Sequence, residues 1–457
     1  MSLGSRFYRQ KGRITMDENE LMGSMKVSKA VAKMAIPSVI SSLVTVVYNM
    51  ADTFFVGQTG DPLQVAAVSL TNPIFILFMA FANMFGMGGS AAASMALGEK
   101  KEKRVKQVSS FITYASLVVG IVFAVILLVG MQPVLQLFGA DADTYELAKG
   151  YTTYISYGAP FIIWSAAASF VVRADGASRE AMTGSMIGTV ANIILDPIFI
   201  SGFGMGAAGA AIATTIGNIM ASVYYLWYFC RKSRNMSMAF RYFKCGDKIL
   251  SQVCSAGLPT AIFSALMSIS TIILNQILVA YGNAPVAAIG IVFKANMFIT
   301  FLQMGLANGV QPLLGYSYGA GNRERFIAVE RYTKKCCLIV GVLATALFFF
   351  FREPIIRLFI SDIEVINYGV EMLIAYMISG PVIGILFMNM NCMKSTGNAL
   401  PATILSILRQ GVLLIPVLYG LNALLGLHGV IYGQALTDYV AVLLSIVIWR
   451  WKRRKTL

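Results

Sequence analysis

The 457-residue chain is 57% hydrophobic, only 12% charged, and carries a formal net charge of +15. Soluble domains carry about twice that share of charge, so a soluble enzyme with a single anchor is excluded. In a soluble protein the basic excess would point to nucleic acid; here its placement has another cause, and no nucleic-acid partner is expected.

Residues 1–33 begin with a polar stretch of mixed charge, unlike a cleavable signal peptide, and read as a short cytoplasmic leader. The first apolar stretch, residues 34–57, is long enough to cross a bilayer as a helix. Ser38, Ser41, Thr45, Asn49 and Asp52 recur along it at helical spacing and form one polar face. A carboxylate among Val, Phe and Met is costly unless protonated, paired or facing water. Asp52 therefore reads as a group lining an intramembrane cavity, the plain alternative being a helix-end acid near the headgroups.

Hydropathy continues the series with spans at roughly 64–97, 108–131, 148–172, 181–203 and 207–230, completing a six-helix lobe over 34–230. A cytoplasmic linker follows at 231–250. Spans at 252–281, 285–318, 334–351, 366–392, 400–421 and 428–450 build a second lobe over 251–450, before a basic tail at 451–457. The fold class expected is all-α and polytopic, with twelve transmembrane helices in two six-helix lobes. Thirty-one of the 36 Lys and Arg fall in alternate loops and both termini, and three in the intervening connections. This is the positive-inside pattern, and it places both termini in the cytoplasm.

The halves repeat one another. A shift of 221 residues aligns Val65-Ala66-Ala67 with Val286-Ala287-Ala288, Gly98 with Gly319, Pro133 with Pro354, Leu137-Phe138 with Leu358-Phe359, Pro160 with Pro381 and Gly176 with Gly397; a shift of 222 aligns Pro37 with Pro259. Six spans per half is an even number, so both halves enter from the same side. A pseudo-two-fold axis along the membrane normal, with a site between the lobes, is the expected arrangement. Asp52 and Asp196 have apolar residues opposite them in the second repeat, whereas Lys294, Arg409 and Asp438 belong to the second half. Arg409 and Asp438, on consecutive spans, are expected to form a structural pair.

In span five, Ser185, Thr189, Asn192 and Asp196 share a face, with Asn192 and Asp196 one turn apart. Span six offers Thr214 and Asn218 at the same spacing. Asp52, Asn192, Asp196 and Thr214 form an oxygen-rich set that could hold Na⁺ or share a proton, two nearby carboxylates titrating as a unit; the alternative is a polar cluster that joins helices. Span seven carries Ser264, Ser268, Thr271 and Asn275 in a matching stripe without its acid. With Asn49, Thr45 and Gln311 these are candidate cavity-lining residues. The six cysteines contain no CxxC pair, and the single histidine, His428, lies in an external connection. No enzymatic motif is present, so no catalytic activity and no cofactor beyond a coupling ion are expected.

ADTFFVG in the first span, NIILDP in span five, LRQGVLLIP in span eleven and GVQPLLGYSYGAGNR at the end of span eight together resemble the multidrug and toxic compound extrusion (MATE) family, in the branch that includes DNA-damage-inducible protein F and MepA. The resemblance extends over about 30 to 450. It implies a V-shaped central cavity and export of organic cations by a secondary antiporter of a prokaryotic cytoplasmic membrane, driven by inward H⁺ or Na⁺. It also implies a first-lobe cation site at Asp52, Asn192, Asp196 and Thr214. No carboxylate lies between Pro259 and Asn275, where the NorM branch has one, so a second-lobe sodium site is not expected. A lipid-linked oligosaccharide flippase, a dedicated exporter of a native metabolite, and a channel or scaffold remain the alternatives. A monomer in the bilayer is expected, with small organic cations as its other partners.

Overall fold

A computed structural model describes residues 20–456, except for the side chains of Thr53 and Pro62. The first nineteen residues of the expected leader and Leu457 of the tail lie outside the described residues. The helices used below are α1 (Val27–Gly57), α2 (Pro62–Gly98), α3 (Glu102–Val129), α4 (Met131–Leu137), α5 (Tyr145–Ala174), α6 (Ser178–Pro197) and α7 (Gly206–Trp227). The second half supplies α8 (Ile249–Val279), α9 (Asn283–Gly319), α10 (Arg323–Phe350), α11 (Arg352–Arg357), α12 (Ile363–Ile378), α13 (Gly380–Ser395), α14 (Leu400–Ile407), α15 (Leu414–Leu425) and α16 (Leu427–Thr456). There is no strand among the described residues. Among the described residues eleven helices are long and apolar enough to cross a membrane, and α12 with α13, bent by 44°, brings the number to twelve when the pair is taken as one span. The protein is a multi-pass, all-helical membrane protein.

The internal repeat has a direct structural counterpart. α1 and α8 are both 31 residues long, α2 and α9 both 37, and α3 and α10 both 28. The ends of α5 and α13 are capped alike. Gly176 (φ +88°) and Gly397 (φ +72°) take the left-handed conformation, and the residue after each donates back across the turn, Ala177 N–H to Val172 O and Asn398 N–H to Met393 O. A side chain would strain that turn, which is why glycine recurs there. Arg173 and Lys394, also equivalent, were expected in charged loops. They are instead buried in the last turns of these two helices, where a cation faces the negative end of the helix dipole.

The chain packs as two compact units. One is built chiefly from Val44–Gly257 with Gly315–Gly321, the other from Val27–Leu43, Leu258–Leu314 and Asn322–Leu457. In the first, α5 packs on α2, α3 and α7, and α6 on α7, around a core that includes Phe85, Ile112, Trp164 and Val171. In the second, α10 packs on α13 and α16 on α12, α13 and α15, over Val292, Ile299, Met372, Leu373 and Leu418. The outward faces are as apolar as the cores: Val118, Ile121, Val125, Leu343 and Leu347 are exposed, as lipid-facing positions should be.

The segment expected to be the cytoplasmic linker is docked on the first unit. Asp175, buried at the end of α5, accepts hydrogen bonds from the hydroxyls of Tyr228 (2.8 Å) and Ser233 (2.7 Å) and from the amide of Asn235 (2.9 Å). Burial pushes the Asp175 carboxyl above its ordinary value, against these three donors. Nearby, Glu180 accepts from Tyr224 and pairs with Lys232.

Candidate functional site

The site in the first unit begins with two glycines. A Cβ on Gly217 would lie 2.5 Å from the carbonyl oxygen of Gly188, and one on Gly188 would lie 2.9 Å from that of Gly217. Only glycines permit α6 and α7 to cross this closely. One turn from the crossing the contact continues as a polar pair. The Asn192 amide nitrogen donates to Asp196 Oδ2 at 3.0 Å, while its oxygen accepts from the Thr214 backbone N–H (2.9 Å) and hydroxyl (3.2 Å). This amide orientation is set by its neighbours, since the reverse would face like atoms with like. Asn218, one turn further on α7, donates to Thr214 O (2.9 Å) and accepts from Ser165 on α5 (2.9 Å).

Pro197 directly follows Asp196 and has no N–H to donate. The chain there relaxes into a π turn over Ile198–Gly202. Gly209 lets the start of α7 approach this turn, for a Cβ there would come 2.7 Å from the Phe199 carbonyl carbon. Asp196 is thereby held at the end of α6 with no exposed surface.

α1 brings the second carboxylate. Tyr48 lies one turn before Asp52, and its hydroxyl is 3.3 Å from that of Thr214. Tyr48 and Tyr151 lie within electrostatic reach of both carboxylates, which also feel one another. Neither tyrosine was singled out from the sequence. Tyr48 could have been, because it sits on the polar stripe at i−4 from Asp52; Tyr151 on α5 has no periodic signal. Asp52 Oδ1 and Asp196 Oδ1 are both buried without a hydrogen-bond partner, and among the described residues no Lys or Arg pairs with either. Two carboxylates, each with a buried and orphaned oxygen, lack a positive charge.

The same family model, MatE, matches the chain twice, over residues 37–198 and 259–419. The chain belongs to the MatE family. The two matched stretches start 222 residues apart, in step with the repeat. Among MatE relatives, the multidrug export protein MepA of Staphylococcus saprophyticus subsp. saprophyticus and that of Staphylococcus aureus are each 32% identical to this chain over 422 residues, 92% of this chain and 93% of theirs. Among solved structures, an outward-facing multidrug resistance MATE family transporter of the MOP superfamily superposes with a TM-score of 0.88 at 25% identity, covering 95% of this chain and 97% of that one.

The other residues singled out from the MatE sequence are placed as follows. Thr45 and Asn49 are half-buried in the first unit, the Asn49 amide donating to Thr45 O (2.8 Å). Ser38 and Ser41 of the same stripe are buried in the second unit, so the stripe is divided between the two. Ser264, Ser268 and Asn275 are half-buried in the second unit, and the two serines donate to carbonyls of their own helix, Thr260 O (3.2 Å) and Ser264 O (3.3 Å). Gln311 is fully buried there. Arg409 and Asp438 are also buried in the second unit, with Arg409 Nε donating to Asp438 Oδ1 at 2.8 Å. Arg409 sits in a π turn, Leu408–Val412, and its guanidinium lies over the rings of Phe263 and Phe387. Ser379 (2.8 Å) and Gln434 (2.9 Å) complete the carboxylate's shell.

Proposed function

We propose that this MatE transporter exports amphipathic organic cations across a prokaryotic cytoplasmic membrane in exchange for protons, and that Asp52 and Asp196 form the coupling site. The observation that carries the reading is a pair of carboxylates, Asp196 buried and Asp52 half-buried, each with one buried, orphaned oxygen and no basic partner among the described residues. Asn192 and Thr214 satisfy each other and Asp196 Oδ2, so the deficit lies on the two carboxylates alone. One proton shared between them removes the like-charge repulsion and supplies a donor to an orphaned oxygen. Na⁺ would be held by Asp52, Asp196 and the hydroxyls of Thr214 and Tyr48, a hard-oxygen set that fits it, at the cost of loosening the Asn192–Thr214 contact. The names of the MepA relatives support multidrug export. A coupling cation must favour one conformation over another to drive transport, and neutralising this pair stabilises whichever state closes it off from water.

The charge asymmetry of the loops supports cytoplasmic termini, which alkaline phosphatase fused after Leu457 tests: activity would overturn that orientation. For the transport reading, ethidium efflux is followed in energised vesicles with either a pH or a Na⁺ gradient imposed. The pH gradient should drive efflux with Na⁺ absent. Efflux driven only by the Na⁺ gradient would move the site to Na⁺, and no efflux under either would remove the antiport reading.

A further inference from the structure

The connection between the halves carries a second constellation, which the transport reading leaves unused. Residues 237–243 are laid along the charged end of α3. Ser109 Oγ donates to Ser237 O and accepts from Ser237 N–H, both at 2.9 Å. Ser110 donates to Ala239 O (3.1 Å) and Tyr114 to Met238 O (3.0 Å). The rings of Phe240 and Phe243 stack 5.7 Å apart, and Tyr114 meets both edge-on. Phe240 nonetheless remains 70% exposed.

This docking gathers two cations from different elements on one ring. The Arg241 guanidinium lies 4.8 Å and the Lys106 ammonium 5.9 Å from the centroid of Tyr242. Neither forms an ion pair among the described residues. Of the neighbouring carboxylates, Asp247 holds Lys244 (2.7 Å) and Glu99 holds Lys101 (2.8 Å), while Glu102, one turn before Lys106, pairs with neither cation among the described residues. Two positive charges gathered on one ring, neither paired with a carboxylate among the described residues, suit a phosphate diester, which a guanidinium and an ammonium bind well.

The level of the constellation selects the source of that phosphate. About one turn beyond Tyr114, the outward face of α3 becomes Val118, Ile121, Val122 and Val125, all exposed. The connector therefore lies where the apolar belt gives way to charge, the headgroup level at which aromatic side chains collect. We propose that Lys106, Arg241 and Tyr242 hold the phosphate of an anionic phospholipid, with the exposed Phe240 ring beside its acyl chains. The lipid would fasten the connector to the first unit and the bilayer together.

The test is native mass spectrometry of the purified full-length protein in equimolar phosphatidylglycerol and phosphatidylcholine. Wild type should retain phosphatidylglycerol preferentially, and added inorganic phosphate should not displace it. A cation at an anionic lipid surface contributes about fivefold in affinity, so Lys106→Gln with Arg241→Gln should weaken phosphatidylglycerol retention by roughly 25-fold. Lys106→Arg with Arg241→Lys should restore it, and unchanged thermal unfolding checks the fold of each variant. Phe240→Ser should lower retention of both lipids equally. Wild-type retention by the double Gln variant would overturn the proposal, as would displacement of the lipid by inorganic phosphate.

Discussion

Arg409→Ala breaks a buried ion pair in the second unit from one side. The Arg409 and Asp438 side chains are only 8% and 4% exposed, so neither charge is screened by water. The variant leaves the Asp438 carboxylate with the Ser379 and Gln434 donors but no counter-charge. Breaking a buried pair from one side costs about 3–5 kcal/mol. The guanidinium also leaves two aromatic faces, each contact contributing about 0.5–2 kcal/mol. Asp438→Leu strands the guanidinium, whose Nη1 already has no partner, and should cost a similar amount. Arg409→Ala combined with Asp438→Leu removes both charges together, so it should lose far less stability than the two single losses added. The assay is unfolding in rising dodecyl sulfate, followed by circular dichroism, on the four members of the cycle. A coupling energy of about 2 kcal/mol or more is expected. Losses that add within about 0.5 kcal/mol would mean that the two residues do not act as a pair.

Gly217→Ala should push α6 from α7 at the Gly188 crossing, costing about 1–3 kcal/mol and lowering efflux; wild-type melting and efflux would show that the crossing has slack. Asn192→Leu removes the donor to Asp196 Oδ2 and the acceptor for Thr214, for a loss of about 1–3 kcal/mol that melting curves would register. Asp175 lies outside the spans, and its pKa is raised from 3.8 by burial. Its contribution to stability is complete below that ordinary value and is lost as pH rises through the raised one. Asp175→Asn should flatten this fall, and a variant melting profile parallel to wild type from acid to neutral pH would refute it.

Much of the fold was legible because the bilayer demands long apolar helices and satisfied backbones. The span expected at 285–318 is the 37-residue α9. The bend in span ten was not legible. Pro160 and Pro381 are equivalent, yet α5 runs unbroken through the first while the chain bends at Ser379–Gly380 beside the second. The difference comes from elsewhere in the sequence. Gln303 on α9 inserts its amide and donates to Cys337 O (2.9 Å) and Gly380 O (3.3 Å), where the first half has Ala82. Both halves keep a glycine at this crossing, Gly120 with a Cβ that would fall 2.4 Å from the Pro160 Cα and Gly341 with one 2.8 Å from the Pro381 Cα, so the inserted Gln303 amide is what differs. The start of α1 differs too: it begins at Val27 rather than at Met34, because Lys29 and Lys33 are good helix formers at a membrane edge.

The candidate site was readable in its polar members and not in its aromatic ones. Asn192 and Asp196 share a face by spacing alone, but their contact with Thr214 depends on the Gly188–Gly217 crossing, and two glycines in an apolar sequence do not announce a partner. Tyr48 and Tyr151 read as ordinary membrane aromatics until α1 and α5 place them by the carboxylates. The connector's docking was hidden for another reason: Ser109, Ser110 and Tyr114 lie on the charged end of a span whose remaining pattern is only apolar.

The most direct test of the central claim is Asp52→Asn in proteoliposomes with an imposed pH gradient. The amide imitates a permanently protonated carboxyl at nearly constant size. The variant should insert, fold and still bind substrate, but its efflux should no longer depend on the gradient. Efflux at the wild-type rate, with the wild-type dependence on the gradient, would remove Asp52 from the mechanism and leave it a helix-end acid.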